Sequence, residues 1–354
     1  MQKENQNIID TCAPLQRELY ACKNFRQEKR IIRKMARNKK KPHGFYSTPK
    51  PVKLKCGGKF LELSEDENFV AVKKVKCENG EAEIYNLKKN TEYFYRAESG
   101  ETGSFRTDNI MPRWIFAEGY NNIRDFGGEK TQSGKTIAQG KIYRGIKLEG
   151  KENAQAGIDA LLDLGIKTDI DLRKEAVGKL TSSPLGRQIN YILHPCDGYE
   201  EFLGGNRKIV KYLIDYFADE KLYPIYFHCH GGQDRTGTLG FMLGAILGLD
   251  DETLIREYEL TMVTFPEWKI SRSRKKKFKP FIDGLKARDE NKTLGENAVD
   301  FLLECGVSRA KMEKIREMVD VNTIVGQPIM VPGGITLIPV SKVSFGFASG
   351  GSDF

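Results

Sequence analysis

The fold is decided by one stretch of sequence, His228-Cys229-His230-Gly231-Gly232-Gln233-Asp234-Arg235-Thr236-Gly237. The nearly all-apolar residues Leu222 to Phe227 stand before it and predict a short strand at the buried centre of a sheet. The apolar residues Thr236 to Leu247 stand after it and predict a helix. The stretch is therefore expected at the carboxyl end of a central strand, which is where α/β proteins bind their ligands.

The predicted loop between this strand and helix has the composition of an anion site. Gly231 and Gly232 allow the backbone to curl until its N–H groups point into one concavity. The helix directs the positive end of its dipole at the same point. Arg235 adds a planar, charged fork that can bind two phosphate oxygens together. The residues expected to line the phosphate are His230, Gly231, Gly232, Gln233, Arg235 and Gly237.

Cys229 is the predicted nucleophile. A thiol beside a helix N-terminus and an arginine loses its proton well below its ordinary pKa of about 8.5. Attack of the thiolate on phosphorus would give a phosphocysteine, from which water releases phosphate. We expect Thr236 to donate its hydroxyl to the sulfur, and His228 to be a hydrogen-bonded scaffold residue. This chemistry uses no metal and no cofactor.

The leaving oxygen needs a proton, and two aspartates compete to supply it. Asp234 lies inside the loop, and Asp197 follows a predicted strand, in a segment expected to be mobile. The residues alone leave both candidates open. Asp171 ends another predicted strand and is expected to be a structural anchor.

Positive charge is concentrated near the amino terminus. The formal net charge is +9, and the stretch from Lys23 to Lys41 holds ten Lys or Arg and one acid, Glu28, so the remainder is neutral overall. A general nucleic-acid surface is therefore not expected. Residues 1–45 are interpreted as a solvated, partly helical basic tail, and an arm that binds nucleic acid or a membrane surface is the alternative.

The composition changes along the chain predict a multidomain protein. Residues 46–110 alternate short apolar segments with Gly, Asn and Asp, which predicts a small β-sandwich. The predicted strands are Pro51 to Cys56, Lys59 to Leu63, Ala71 to Cys77, Glu81 to Tyr85, Thr91 to Ala97 and Gly103 to Thr107. Residues 111–319 follow an α/β pattern, and residues 320–354 predict a hairpin around Pro332-Gly333-Gly334.

Cysteine usage and the amino terminus bear on location. The seven cysteines include no Cys-x-x-Cys pair, which predicts free thiols in a reducing compartment and no zinc site. Met1 to Asp10 shows no signal peptide, and the longest apolar run, Phe241 to Leu249, is too short to span a bilayer. A cytoplasmic location is expected, with export of a longer form left open.

Four motifs together resemble a known family. They are Asn122-Ile123-Arg124-Asp125-Phe126-Gly127-Gly128, then Gly140-Lys141-Ile142-Tyr143-Arg144-Gly145, then Asp171-Leu172-Arg173, then the loop His228 to Gly237. Their order is similar to that of bacterial tyrosine phosphatases of the Asn-Phe-Arg-Asp-Leu-Gly-Gly type, over roughly Ile110 to Val319. The resemblance implies a dual-specificity-like cysteine phosphatase fold, with a central, mainly parallel sheet flanked by helices and no metal.

The same resemblance implies roles for individual residues. Cys229 would be the nucleophile, Arg235 would bind phosphate, and Asp234 matches the family's loop aspartate. Asn122, Arg124 and Asp125 would lie close to the active site and brace it. Asp171 and Arg173 are counted with these supporting residues.

Two shorter resemblances concern the flanking segments. Leu87-Lys88-Lys89-Asn90-Thr91-Glu92-Tyr93 resembles the tyrosine corner of fibronectin type III-like domains, in which a Tyr hydroxyl ties a strand start to the preceding turn. Residues 320–354 resemble a fragment of the GerW-type sporulation proteins, and no activity is assigned to them.

The loop composition also bears on the substrate. Many relatives carry Lys where this chain has Gln233, and similar inositol-lipid phosphatases often also have Lys at the position of His230. A less cationic loop favours phosphotyrosine proteins over phosphoinositides, although the basic run Arg272 to Lys279 favours the lipids. The alternatives are a phosphoinositide or dual-specificity phosphatase, and a catalytically weak phospho-binding module, against which the intact Cys229 and Arg235 argue.

Overall fold

The structure is a computed structural model of the 354-residue chain. It describes residues 7–23, 25–38, 40–149, 155–199, 202, 204–265 and 278–319, together with the backbone of four short C-terminal strands.

The described elements fall into four consecutive groups. The amino-terminal segment contains β1 (Ile8–Ile9), α1 (Gln16–Tyr20) and α2 (Phe25–Arg37). The sandwich contains β2 (Val52–Lys55), β3 (Phe60–Ser64), β4 (Lys73–Lys76), β5 (Glu81–Ile84), β6 (Glu92–Ala97) and β7 (Thr102–Thr107). The strands of the α/β domain are β8 (Arg124–Asp125), β9 (Ile142–Gly145), β10 (Thr168–Asp171), β11 (Asn190–Leu193) and β12 (Ile225–His228).

The helices of the α/β domain come between and after these strands. They are α3 (Gln155–Leu162), α4 (Arg207–Phe217), α5 (Asp234–Leu247), α6 (Asp251–Glu259), α7 (Thr261–Thr264), α8 (Lys279–Lys286), α9 (Leu294–Glu304) and α10 (Arg309–Met318). The C-terminal strands are β13 (Thr323–Val325), β14 (Ile329–Val331), β15 (Ile335–Leu337) and β16 (Val340–Lys342).

The amino-terminal segment packs against the α/β domain. Ile32 and Met35 of α2 are each 2% exposed and share one cluster with Trp114 and Val263. The prediction of a solvated helix is therefore wrong for this face. The apolar spacing was visible in the sequence, but the surface that covers it is formed by residues far along the chain.

The sandwich has the six predicted strands. β2 pairs antiparallel with β5, and the facing sheet has the order β7-β6-β3-β4, with β1 added parallel to β7. Apolar side chains of both sheets, such as Val52 and Phe105, form the core between them. The Lys88 N–H donates to Tyr93 Oη over 2.9 Å, which is the contact expected of a tyrosine corner. Assignment of this domain to the fibronectin III type stays a prediction.

A disulfide between Cys56 and Cys77 joins the two sheets of the sandwich, with the Cα atoms 6.1 Å apart. The expectation that all seven cysteines are free is therefore wrong, although Cys12, Cys22, Cys196, Cys229 and Cys305 form no disulfide and are buried. The pairing could not be read from spacing, because it depends on how β2 and β4 are brought together. Since the argument for a reducing compartment used free thiols, the cytoplasmic location stays a prediction without that support.

One corner of the sandwich is bound directly to the α/β domain. Asn86 Nδ2 donates to the Phe116 carbonyl over 2.8 Å, and the Phe116 N–H donates to Asn86 Oδ1 over 2.7 Å. Lys89 and Gln139 exchange a second such pair of hydrogen bonds, of 2.8 and 2.9 Å. Arg113 Nε donates to the Leu87 carbonyl over 3.1 Å. The sandwich is thus fixed to the domain that follows it.

The α/β domain is built on a five-stranded sheet of order β11-β10-β12-β9-β8. The first four strands are parallel and β8 is antiparallel, so the sheet is mainly parallel, as predicted. Asp171 of β10 pairs with His228 of β12, which brings the carboxyl ends of both strands to the same level. α5 lies against β12 and is buried from Thr236 to Leu247.

The central strand is shorter than predicted at its start. Residues 220–222 form a 3₁₀ turn, and β12 begins after Pro224, which has no N–H to donate to a neighbouring strand. The strand still ends at His228, so the position of the loop is unchanged.

The C-terminal strands pair as a hairpin would. β14 is antiparallel to β15, and β13 is antiparallel to β16. The connecting residues 332–334 lie outside the described part of the chain. Within the described residues, no helix has the length and apolar character that crossing a bilayer requires.

Candidate active site

The loop from Cys229 to Gln233 joins the end of β12 to the start of α5. Cys229 is 3% exposed and lies at the floor of this connection. Gly232 has φ +70°, and a Cβ atom there would lie 2.5 Å from the Gly145 carbonyl oxygen. Glycine is therefore required at this position, both for the backbone conformation and for the close approach of β9.

Two carbonyl groups of the loop accept hydrogen bonds from side chains of the α/β domain. Asn122 Nδ2 donates to the Gly231 carbonyl over 2.8 Å, and Arg144 Nη2 donates to the Gly232 carbonyl over 2.7 Å. In a planar trans peptide the N–H points away from the C=O. The next N–H groups, of Gly232 and Gln233, are therefore directed away from these donors, as an anion-binding concavity requires.

A buried ion cluster holds those two donors in place. Arg124 Nη1 donates to Asn122 Oδ1 over 2.9 Å, and Arg124 Nε donates to Glu257 Oε1 over 2.8 Å. Glu257 also pairs with Arg144. Burial alone would raise the pKa of Glu257, but the charges of Arg124 and Arg144 outweigh it and lower that pKa. Burial, and next the charge of Arg144, lower the pKa of Arg124 to about 10.

Glu257 was missed by the sequence analysis. It lies in α6, outside the four motifs, and an acidic residue in a surface-type helix gives no sign that it faces inward. Its partner Arg144 lies in one of the four motifs, but no role was predicted for it.

Asp125 does not serve the loop as the resemblance implied. Its carboxylate accepts from Arg113 Nη1 over 2.7 Å, from the Gly127 N–H over 2.8 Å and from the Gly140 N–H over 2.7 Å. Arg113 is the residue that also binds the sandwich corner. Asp125 therefore connects the α/β domain to the sandwich, while Asn122 and Arg124 lie under the loop.

His228 has a hydrogen-bond partner at one ring nitrogen and an ion-pair partner at the other. Nδ1 lies 3.1 Å from the Cys229 carbonyl oxygen, and Nε2 lies 3.1 Å from Asp169 Oδ1. Burial opposes a charged imidazole, but the neighbouring Asp169 carboxylate outweighs burial and raises the pKa of His228 to about 9. Its fully enclosed position fits a scaffold residue.

Asp171 and Arg173 form a second buried pair beside the loop. Asp171 accepts from Arg173 Nε over 2.8 Å and from Tyr191 Oη over 2.9 Å. Arg173 pairs in addition with Glu149. The Leu172 N–H donates to the His228 carbonyl over 2.9 Å, so this pair lies next to the end of β12.

The guanidinium of Arg235 is held by Glu175. Nη1 and Nη2 each donate to one carboxylate oxygen of Glu175 over 2.9 Å. This bidentate pair lowers the pKa of Glu175 to about 2. It leaves the Nε edge of Arg235 for another oxyanion. Glu175 was also missed, although it follows the Asp171-Leu172-Arg173 motif by two residues.

Both candidate acids lie near the first turn of α5, in different surroundings. Asp234 Oδ1 accepts from Tyr199 Oη over 2.8 Å and from Tyr258 Oη over 3.1 Å. Burial, and next the neighbouring Tyr258 and Asp234, raise the pKa of Tyr199, so its phenol stays protonated and donates. Asp197 is exposed and pairs with Lys174.

Three further residues predicted to act at the loop lie in different environments. Gly237 lies inside α5, where its N–H donates to the Gln233 carbonyl over 2.8 Å, and a Cβ there would lie 2.5 Å from the Tyr258 ring. Gly237 is therefore a packing position. His230 is exposed, and its carbonyl accepts from the Lys147 N–H. Thr236 is fully buried, and its hydroxyl has no hydrogen-bond partner among the described residues.

Within the described part of the chain, one group of side chains is close enough together to hold a metal ion. It consists of Asp10, Cys12 and Asp108, in the amino-terminal segment and the linker after the sandwich. Lys89 Nζ lies 3.1 Å from Asp108, and Lys50 Nζ lies 2.6 Å from Asp10. These ammonium groups already neutralise the carboxylates, so the group is an ion-pair network.

The strand, loop and helix, with a buried cysteine at the floor and a fixed arginine beside it, define a cysteine-type phosphatase. Residues 115–321 match the model of the family described as "Tyrosine phosphatase family", which is more than half of the chain. The chain therefore belongs to the tyrosine phosphatase family.

Two further similarities concern smaller or more distant parts. The chain is 53% identical over 49 residues to the uncharacterized spore protein YtfJ of Bacillus subtilis, which is 14% of this chain and 32% of that protein. The chain thus spans about a third of this curated relative. The core catalytic domain of the PP-IP phosphatase SIW14 from S. cerevisiae, solved in complex with citrate, aligns with a TM-score of 0.27 and 16% identity. That alignment covers 44% of this chain and 94% of that domain.

Proposed function

We propose that this chain is a protein-tyrosine phosphatase that hydrolyses phosphomonoesters through a phosphocysteine intermediate on Cys229. The observation that carries the proposal is the binding of the Gly231 and Gly232 carbonyls by Asn122 and Arg144. These two hydrogen bonds direct the loop N–H groups toward the side on which a bound phosphate would contact Cys229. Such preorganised donors stabilise the charge on the equatorial oxygens during the transfer.

The reaction has two steps. In the first, the Cys229 thiolate attacks phosphorus, the bond to the leaving oxygen breaks, and a carboxylic acid protonates that oxygen. In the second, water attacks phosphorus, the same carboxylate takes the proton from water, and the S–P bond breaks to return the thiolate. Arg235 binds two phosphate oxygens throughout, in an orientation set by Glu175. Thr236, whose buried hydroxyl has no described partner, would donate to the departing sulfur.

We assign the acid to Asp234. Two phenol hydroxyls donate to one of its oxygens and fix the carboxyl group at the loop. Asp197 is exposed and tied to Lys174 at the rim, which makes it the second candidate. His230, Gln233 and the backbone of Gly231 and Gly232 would complete the phosphate site.

The charges around the loop support a singly phosphorylated side chain as substrate. Three cations near the loop have carboxylate partners: Lys174 pairs with Asp197, Arg235 with Glu175, and Lys147 lies 3.7 Å from Glu149. A headgroup with several phosphates would need uncompensated cations. The basic run Arg272 to Lys279, mostly outside the described residues, favours the phosphoinositide alternative.

Parallel assays test this function. The full chain should hydrolyse an aryl phosphate and a phosphotyrosine peptide, with lower kcat/KM on phosphoserine peptides and on phosphoinositide vesicles. Cys229→Ser should abolish all activity, Cys305→Ser should preserve it, and a chelator should change nothing. Turnover that survives Cys229→Ser would contradict the mechanism, and a preference for phosphoinositides would replace the substrate class.

We further propose the domain organisation 1–45, 46–110, 111–319 and 320–354, with a fibronectin III-like second unit. The hydrogen bond between Lys88 and Tyr93 supports that assignment of the sandwich. The resemblance of the last unit to GerW-type proteins is a sequence inference, and we assign this unit no activity.

A further inference from the structure

The exposed side of α2 carries a row of arginines that the catalytic chemistry does not use. Arg26, Arg30, Arg33 and Arg37 follow one another at intervals of four, three and four residues, so they lie on one side of the helix. All four are exposed. We call these four residues the arginine row; it is about 16 Å long at 1.5 Å per residue.

The direction in which this row faces is fixed by the opposite side of the helix. Ile32 and Met35 are buried against the α/β domain. Glu28, on the same inner side, is 7% exposed and accepts from Arg256 Nε over 3.4 Å. α2 is thus held by an apolar contact and an ion pair, and its arginine row points away from the protein.

The charge of the row is not compensated within the described chain. None of the four arginines has an ion-pair partner among the described residues, whereas the adjacent Lys34 pairs with Glu18. Four exposed lysines elsewhere do have partners: Lys53 with Glu83, Lys73 with Asp163, Lys76 with Glu78 and Lys292 with Asp300. Like charges at this helical spacing repel one another. An external anionic surface would relieve that repulsion.

We propose that the arginine row is a docking surface for an anionic phospholipid bilayer. Guanidinium groups bind phosphate oxygens in pairs, and clusters of four to eight basic residues on an amphipathic helix are typical of contacts with acidic lipids. The straight row presents its charges to one plane. Because the apolar face of α2 is already buried, the contact is electrostatic and lies at the headgroup level.

A bilayer fits these observations better than a nucleic acid does. The arginine row holds no aromatic side chain on which a base could stack, as nucleic-acid sites usually provide. Outside Lys23 to Lys41 the chain is neutral overall, so its net positive charge comes from this one segment. The proposal is independent of the substrate, because α2 lies outside the catalytic loop.

Co-sedimentation of the full chain with vesicles tests the proposal. The protein should bind phosphatidylserine–phosphatidylcholine vesicles, bind pure phosphatidylcholine vesicles at background level, and dissociate as salt rises. The variant Arg26→Gln/Arg30→Gln/Arg33→Gln/Arg37→Gln should bind at least ~10-fold more weakly, since each basic residue near an acidic surface contributes. The same substitutions to Lys should retain most of the binding.

The matched control removes the same number of positive charges, at lysines that have carboxylate partners. The variant Lys53→Gln/Lys73→Gln/Lys76→Gln/Lys292→Gln should bind vesicles within about twofold of the wild type. Hydrolysis of an aryl phosphate and the circular dichroism spectrum verify that each variant is folded. Equal vesicle binding by the arginine-row variant and the wild type would overturn the proposal, as would no binding to acidic vesicles. Tighter binding of an RNA or DNA oligonucleotide, lost with the row, would replace the bilayer by a nucleic acid.

Discussion

At the scale of single residues, the site depends on how Arg235 is held. The side chain of an arginine can rotate about several bonds. Binding two phosphate oxygens together requires its guanidinium group to lie in one fixed plane. The Glu175 carboxylate fixes that plane through two hydrogen bonds of 2.9 Å. Because the pKa of Glu175 is only about 2, this carboxylate stays ionised at any pH at which the enzyme would work.

Glu175→Gln should therefore impair catalysis without unfolding the protein. We expect kcat/KM for an aryl phosphate to fall roughly tenfold to a hundredfold, since a hydrogen bond to a charged group contributes about 1.5–3 kcal/mol. The vanadate inhibition constant should rise in parallel. Glu81→Gln, in the sandwich, is the matched control and should leave both constants unchanged. A normal kcat/KM in Glu175→Gln would exclude the positioning role.

The assignment of the acid is tested by leaving-group dependence. Asp234→Asn should slow aryl phosphates with poor leaving groups by about 10²-fold or more, and those with good leaving groups far less, because only the former need a proton. Tyr258→Phe should show the same pattern to a smaller degree. Tyr223→Phe, whose hydroxyl binds a core carbonyl, is the control. A steeper dependence in Asp197→Asn than in Asp234→Asn would transfer the role to Asp197.

The pKa of His228 predicts a pH-dependent stability. The folded value of about 9 lies above the ordinary value of 6.5, so the contribution of the charged imidazole is complete below pH 6.5 and is lost as the pH rises through 9. The difference in free energy of unfolding between wild type and His228→Gln should shrink by about 1–3 kcal/mol from pH 6 to pH 9.5. Burial lowers the pKa of His194, so His194→Gln should show no such loss. A constant difference would contradict the Asp169–His228 interaction.

At the scale of elements, local sequence patterns predicted where strands and helices lie, but not which distant residues contact one another. The strand predicted over Leu222 to Phe227 was observed as Ile225–His228, and the helix predicted over Thr236 to Leu247 as Asp234–Leu247. These depend on periodicity and on end signals in the sequence itself. The buried ion cluster, by contrast, joins Glu257 to Arg124 and Arg144, which lie in distant segments of the chain. No local pattern encodes that meeting.

Substitution of Glu257 should show how much the buried ion cluster contributes to stability and activity. Glu257→Gln leaves two buried guanidinium groups with uncompensated charge, which typically costs about 3–5 kcal/mol. We expect the free energy of unfolding to fall by about that amount. Activity should also fall, because the loop is no longer held in place. Glu252→Gln, exposed on the same helix, should change neither. Wild-type stability in Glu257→Gln would show that the cluster does not support the loop.

At the scale of the whole molecule, the sequence predicted separate units and the structure joins them. The α/β pattern and the sandwich strands were visible as changes of composition. The docking of Asn86 and Lys89 on Phe116 and Gln139 was not, because it uses backbone and amide groups that any sequence offers. The burial of α2 was not predicted either, because its covering surface comes from distant parts of the chain, such as Trp114 and Val263.

The central claim is that Cys229 carries the phosphoryl group between the two steps. Rapid acid quenching of the full chain during turnover of an aryl phosphate, followed by proteolysis and mass spectrometry, tests it directly. We predict a phosphorylated peptide that contains Cys229, absent from Cys229→Ser and increased in Asp234→Asn, in which hydrolysis of the intermediate is slowed. Steady turnover with no phosphate on Cys229, or with phosphate on another residue, would contradict the mechanism.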